Sequence, residues 1–548
     1  MKNQDSYTLS GNIVDLVKGH IFKGTVQVEN GKVLKITHDN SVKENQTILP
    51  GLIDSHIHIE SSMLIPSEFA RLAVVHGTVC TVSDPHEIAN VMGINGVKFM
   101  IENGKKVPFK FYFGAPSCVP ATPFETSGAR FTPDDLDELL SMKDIHYLSE
   151  MMNFPGVIQE VPDEIRKIDI AKRYNKPIDG HAPGVKGEDA RKYAQAGITT
   201  DHECFTMEEA LEKIRFGMKI QIREGSAAKN FETLIGLMKD HADKVLFCSD
   251  DKHPDNLADG HINNLVKRAI AKGYDPVQVL KSAILNPIEH YHLNVGLLRE
   301  GDPADMIVVD NLTDFNVKTT YIDGQKVAEN GKTLLKSVDE TTLNNFVATS
   351  ITKEEIKVPD IGKKIRVIEA YDGELITGSV QVQGKSDNGN LVSDTEKDIL
   401  KMVVLNRYEK AKPSVGFIKN IGLKTGAFAS SVAHDSHNIV AVGTNDEEIV
   451  QAINAVIKSK GGIVVVKNYK EYLLPLPVAG LMSNMDGYKV AKQYKDLDAM
   501  LHEMGATLRA PFMTLSFMAL LVIPELKLSD KGLFNGNSFS FISLYAGN

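Results

Sequence analysis

Apolar and polar positions alternate in short runs near the start of the chain, as in Asn12-Ile13-Val14-Asp15-Leu16-Val17 and Gly24-Thr25-Val26-Gln27-Val28-Glu29-Asn30-Gly31-Lys32-Val33. Alternation with a period of two, broken at Asn-Gly, predicts antiparallel hairpins with one buried face. The same style returns at Ala304–Asp310 and Thr320–Val327, followed by Glu329-Asn330-Gly331-Lys332. The two flanks, residues 1–50 and 295–340, are therefore expected to pair into one small β-sandwich domain. Everything between them is inserted.

Across residues 51–294 the rhythm changes to short continuous apolar runs, each followed by a helical pattern. Candidate strands are Thr78–Ser83, Lys110–Gly114, His146–Ser149, Pro177–Gly180, Thr199–Asp201, Lys219–Ile222 and Val245–Cys248. Strand and helix alternating about eight times over ~240 residues predict an α/β fold, a (β/α)8 TIM-like barrel with its chemistry at the strand C-termini. A polar stretch, Ser337–Glu355, precedes a third region, residues 355–548. Its hairpins, Gly-rich turns and helical run Asp446–Ser459 read as a C-terminal α+β domain.

Composition narrows the partners. The 548 residues carry 61 Lys+Arg against 71 Asp+Glu, a formal charge of −10. Nucleic acid and anionic membrane surfaces demand clustered basic residues, so neither is expected as a ligand. The four cysteines are widely spaced with no CxxC pair, which suits a reducing compartment. The polar start, MKNQDSYTLSGN, has no apolar leader run, and no stretch approaches the ~20 apolar residues of a membrane span. A cytoplasmic protein, assembled as a homo-oligomer and acting on a small molecule, is expected.

Several of the 17 histidines fall where predicted strands end. Pro50-Gly51-Leu52-Ile53-Asp54-Ser55-His56-Ile57-His58 puts two imidazoles two residues apart on a strand, so both point to one side, as two ligands of one cation must. His181 follows Pro177-Ile178-Asp179-Gly180, His202 follows Ile198-Thr199-Thr200-Asp201, and Val245-Leu246-Phe247-Cys248-Ser249 runs into Asp250 and Asp251. A lone histidine is more often a core or surface residue than a ligand. Here the order carries the signal, because imidazoles and a carboxylate meeting at one rim need a metal to offset their desolvation.

The run ILPGLIDSHIH, the later strand-end histidines, the terminal Asp and the split β-domain resemble the amidohydrolase superfamily. Longer strings, His56–Met63, Ser83–Asn90, Asp179–Gly184, Thr200–Glu203, Arg223–Asn230 and Ser430–Asn438, are similar to those of the bacterial adenine deaminases. This likeness spans nearly the whole chain. It implies a metal-dependent hydrolase that converts adenine to hypoxanthine and ammonia in purine salvage, with a binuclear divalent centre of Mn or Fe, Zn being allowed. One departure bears on the centre. Many two-metal superfamily members bridge their ions with a carboxylated lysine at the end of the fourth strand, whereas this chain has Glu150 there, and Lys143 lies near that strand's start.

The expected ligands are His56 and His58 on one ion, His181 and His202 on the other, Glu150 between them and Asp250 close to both. Two cations sharing a water lower its pKa toward neutrality. Asp250 is the expected carrier of a proton from that water to the leaving amine. It is preferred to Asp251 because it comes first after the apolar run. Glu87, with a raised pKa, is the expected acid for purine N1. Asp84, His86, Arg223, Glu224 and Ser226 are the expected substrate-binding groups, with Lys229 and Asn230 beside them, although capping explains some of these equally well. No Gly-rich phosphate loop occurs, so a free base is expected in place of a nucleotide. His434, Asp435 and His437 read either as a polar loop tying two elements together, or as a lid or a contribution to the active-site entrance. Two other readings stay open: a cyclic amidase acting on a dihydropyrimidine, and a non-catalytic scaffold, which would have lost ligands that are all present here.

Overall fold

The computed structural model describes residues 6–547. The segment 1–5, part of the polar start read above as carrying no leader, lies outside the described residues. Four strands come first: β1 (Ser6–Asp15), β2 (His20–Glu29), β3 (Lys32–His38) and β4 (Thr47–Pro50). Between β2 and β3 the chain turns at Asn30-Gly31, with φ of 49° and 79°. Two left-handed residues in a row are what a tight hairpin needs, which accounts for the Asn-Gly signal.

Eight parallel strands follow: β5 (Leu52–Ile57), β6 (Thr78–Ser83), β7 (Lys110–Ala115), β8 (Ile145–Met151), β9 (Ile178–Gly180), β10 (Thr200–Asp201), β11 (Lys219–Arg223) and β12 (Val245–Cys248). Thr199 N donates to Ile178 O at 2.9 Å across the β9/β10 seam, and a parallel bridge from Ile57 to Asp250 joins the last strand to the first. The result is the barrel. Its strands are covered on both faces, which is why they read as continuous apolar runs. Helices Pro133–Ser141 and Met207–Arg215 lie between successive strands, their starts capped by Thr132 and Thr206.

The chain then returns to its first sheet with β13 (Met306–Val309), β14 (Val317–Ile322), β15 (Gln325–Glu329) and β16 (Lys332–Thr333). β13 runs antiparallel to β4, Ile307 opposite Leu49. Because β4 also pairs with β1, all eight strands form one continuous sheet, coiled far enough for Tyr7 to stack on Tyr321 with centroids 5.3 Å apart. Its core is built from Ile13, Val26, Val28, Ile48, Met306 and Val308.

Residues 334–352 carry no regular element. Beyond them an eight-stranded sheet carries helix Asp446–Ser459, whose Ile449, Ile453 and Val456 bury against Val464 and Val466. This region docks on the barrel through polar as well as apolar contacts. Gly487 N donates to Glu68 Oε2 at 2.8 Å, and Arg71 pairs with Asp486 at 2.8 Å. The docking sets the loop after strand Ala427–Ser430 over the barrel mouth. Among the described residues no helix is long and apolar enough to cross a membrane.

Candidate metal centre

The C-terminal ends of β5, β8, β9, β10 and β12 bring their polar residues to one place. His56 lies in β5 and His58 just beyond it, and the pleat turns both rings inward. His58 Nδ1 sits 3.2 Å from Asp84 O, which fixes the ring and leaves Nε2 facing the centre. That Nε2 is 3.4 Å from Glu150 Oε1 and 3.3 Å from Asp250 Oδ1. His56 Nε2 lies 3.6 Å from the same Asp250 oxygen. Glu150 turns its other oxygen to His181 Nδ1 at 2.8 Å and His202 Nε2 at 3.2 Å. The six residues expected as ligands are thus brought together.

The donor atoms of His56, His58 and Asp250 lie within 4.8 Å of one another, as do those of His56, Glu150 and His202. Ligands bonded to one cation at ~2.0–2.2 Å stand about 3–3.5 Å apart, the spacing that most of these pairs have. Both ring nitrogens of His56 and Nδ1 of His202 are buried without a hydrogen-bond partner. A buried polar atom left alone is costly, and a cation is the partner that mixed imidazole and carboxylate donors select. At two of the imidazoles the neighbouring carboxylates outweigh burial. Burial and His86 oppose protonation of His58, yet Asp250 and Glu150 hold it well above its ordinary range. Burial likewise opposes it at His181, which Glu150 and Glu203 push up to about 9. The cluster is a site fit for divalent cations.

Asp250 adopts a left-handed backbone with φ of 55°, strain that neighbouring contacts must maintain. Its N–H donates to His56 O at 3.0 Å, and Arg223 Nη1 donates to its Oδ2 at 2.5 Å. Burial works to raise the Asp250 pKa, but Arg223 with His56 and His58 holds it well below the carboxylate range. Arg223 also grips Glu203 through both terminal nitrogens. Expected as a substrate donor, it lines the cavity and is also engaged with two carboxylates. Asn230 Nδ2 donates to His202 O at 3.0 Å, so it supports a ligand strand end.

Other expected substrate groups divide. Asp84 and His86 stand at the centre: His86 Nδ1 lies 3.1 Å from Asp84 Oδ2 and 3.4 Å from Glu150 Oε1. Glu224 and Ser226 are not brought to the cavity above it. Glu224 pairs with Arg268 at 2.8 Å and lines a separate cleft with Lys229, while Ser226 Oγ accepts from His253 N at 2.9 Å. The chain turns away after β11, at the bridge from Glu224 to Lys229.

Glu87 also departs from expectation. Its two carboxylate oxygens are held by His434 Nδ1 and His437 Nε2 from the C-terminal loop. Burial raises its pKa, but His434, His437 and His86 outweigh burial and hold it well below the usual range. Glu87 is therefore an anion clamped by imidazoles, ill suited to donating a proton to N1. The same contact places the His434 loop in the wall of the cavity.

The model of the amidohydrolase family matches residues 47–327, and that of the adenine deaminase C-terminal domain matches residues 374–540. An adenine deaminase of Methanosarcina mazei is 56% identical over 98% of this chain and 99% of its own length. Those of Salinibacter ruber and Borreliella burgdorferi are 53% and 46% identical, each over 98% of this chain and at least 99% of their own. The chain belongs to the adenine deaminases of the amidohydrolase family.

One residue of this family member, Glu203, was given no role by the sequence reading. Glu203 follows His202 directly, and its Oε1 lies 3.5 Å from His202 Nε2 and 3.7 Å from His181 Nδ1. Its place beside a strand-end ligand was the available signal. Asp435, in the segment matched by the C-terminal model, lines the cavity together with His58, Glu150 and Asp250. Its place agrees with the expectation that this loop contributes to the active-site entrance.

Proposed function

We propose that this chain catalyses the hydrolytic deamination of adenine to hypoxanthine and ammonia. What carries the reading is the convergence of four imidazoles on the two oxygens of Glu150 at the barrel mouth, in a chain similar over nearly its full length to adenine deaminases. The same likeness favours it over a dihydropyrimidine amidase. His56, His58, His181, His202 and Glu150 would hold two divalent cations, Mn or Fe by preference. Bound divalent cations lower the pKa of water and so supply a nucleophile near neutral pH.

The residues of the chain do the rest. Asp250, kept ionised and aimed at the centre, takes a proton from the attacking water and passes it to the amine as the C6–N bond breaks. The water's oxygen ends on C6, and its two protons end on N1 of hypoxanthine and on ammonia. Arg223 holds Asp250 in position, and Glu203 shares that cation. The four cysteines are free and buried, which supports a reducing, cytoplasmic setting.

Metal analysis of the purified protein, run beside ammonia release from adenine, adenosine and guanine, tests the reading. About two divalent ions per chain and release from adenine alone are expected. Ring opening of dihydrouracil without release from adenine would refute it.

A further inference from the structure

The cavity above the metal centre has walls of two kinds. The barrel supplies an ionisable floor, and the C-terminal region supplies an apolar roof that includes Phe517, Leu520 and Ile523. Asp435 is the carboxylate within that C-terminal contribution, next to the imidazole of His434. It is 3% exposed, and its Oδ2 has no hydrogen-bond partner. Its donor atom lies with those of His86 and Glu87 in a group spanning no more than 4.8 Å. It therefore borders the end of the cavity nearest His86, whose Nδ1 lies 3.4 Å from Glu150 Oε1 at the centre. The loop is gripped on both sides of Asp435, by His434 and His437 on Glu87, and the His434 ring stacks on Phe517 at 4.5 Å. A buried carboxylate oxygen kept alone on a clamped loop is costly unless a ligand brings a donor to it.

We propose that Asp435 reads the 6-substituent of the purine, accepting a hydrogen bond from a 6-amino group and repelling a 6-oxo group. This rests on the adenine reading above. The exocyclic donor of adenine is the amine that leaves, and hypoxanthine presents an acceptor at that position. One carboxylate thus favours substrate by pairing and disfavours product by the clash of two acceptors.

The test compares full-length wild type with Asp435→Asn and Asp435→Ala. Adenine kcat/KM and the inhibition constant of hypoxanthine are measured, with metal content and melting temperature alongside. Adenine kcat/KM is expected to fall about 10–100-fold, the range for one charge-assisted hydrogen bond, while hypoxanthine binds more tightly and metal is retained. Parallel weakening of adenine and hypoxanthine is what a purely structural role would give, and it overturns the proposal, as does unchanged kcat/KM. The wild type provides a second test that needs no variant. It is expected to bind unsubstituted purine more tightly than hypoxanthine, and the reverse order overturns the proposal. A wild type that releases no ammonia from adenine refutes the underlying reading, and the proposal with it.

Discussion

Arg223 Nη1 donates to Asp250 Oδ2 at 2.5 Å, which leaves Asp250 Oδ1 facing His56 and His58 at 3.6 and 3.3 Å. Arg223→Met removes the cation shared by two buried carboxylates, and uncompensated buried charge costs about 3–5 kcal/mol. A lower urea midpoint and a large loss of turnover are expected together. A variant as stable as wild type would show that Asp250 and Glu203 do not depend on this guanidinium.

Asp250→Asn keeps the shape of the side chain but removes its capacity to take a proton. Turnover is expected to drop by about 10²–10⁴, with much of the metal retained. Steady-state kinetics with metal analysis on the same preparation checks this, and wild-type turnover would take Asp250 out of the mechanism.

Glu150→Gln strikes the one side chain whose two oxygens face His58 and His86 on one side and His181 and His202 on the other. Metal affinity should fall at least the ~10–100-fold seen when a supporting ligand shell is damaged, and deamination with it. Competition with a chelator measures the affinity directly, and an unchanged value would refute the bridging role.

Lys527 carries a pH signature. It is fully buried, donates to Leu375 O at 2.7 Å and Phe517 O at 3.0 Å, and burial lowers its pKa from 10.5 to about 7. Between those values the unfolded chain binds the proton and the folded one does not, so stability rises with pH at up to about 1.4 kcal/mol per unit. Below pH 7 the penalty is constant, and above 10.5 it is gone. The stability of wild type relative to Lys527→Met should therefore increase between pH 7 and pH 9 in urea unfolding. A difference that does not change with pH would place the lysine's proton in both states alike.

The sequence was most legible where local chemistry and global fold agree. Helix Asp446–Ser459 follows an N-capping Asn445 and repeats its apolar face at Ile449, Ala452, Ile453 and Val456, so its span could be read directly. His56 and His58 were legible because strand pleating alone puts them on one side. The pairing of Arg223 was not legible because its partners, Glu203 and Asp250, arrive from neighbouring strand ends. The clamp on Glu87 was hidden for a related reason. Its two imidazole partners lie 347 and 350 residues away, beyond anything periodicity or spacing can register.

The pairing of Leu49 with Ile307 spans the entire barrel insertion. Ribosomes add about 5–20 residues per second, so β4 waits on the order of tens of seconds for its second neighbour to be made. All four of its residues are buried in the finished protein, and an apolar strand edge open for that long invites wrong partners unless something shields it. Once β13 arrives, the sheet acts as a clasp where the polypeptide enters and leaves the barrel. Unravelling from either end of the barrel must first part that clasp.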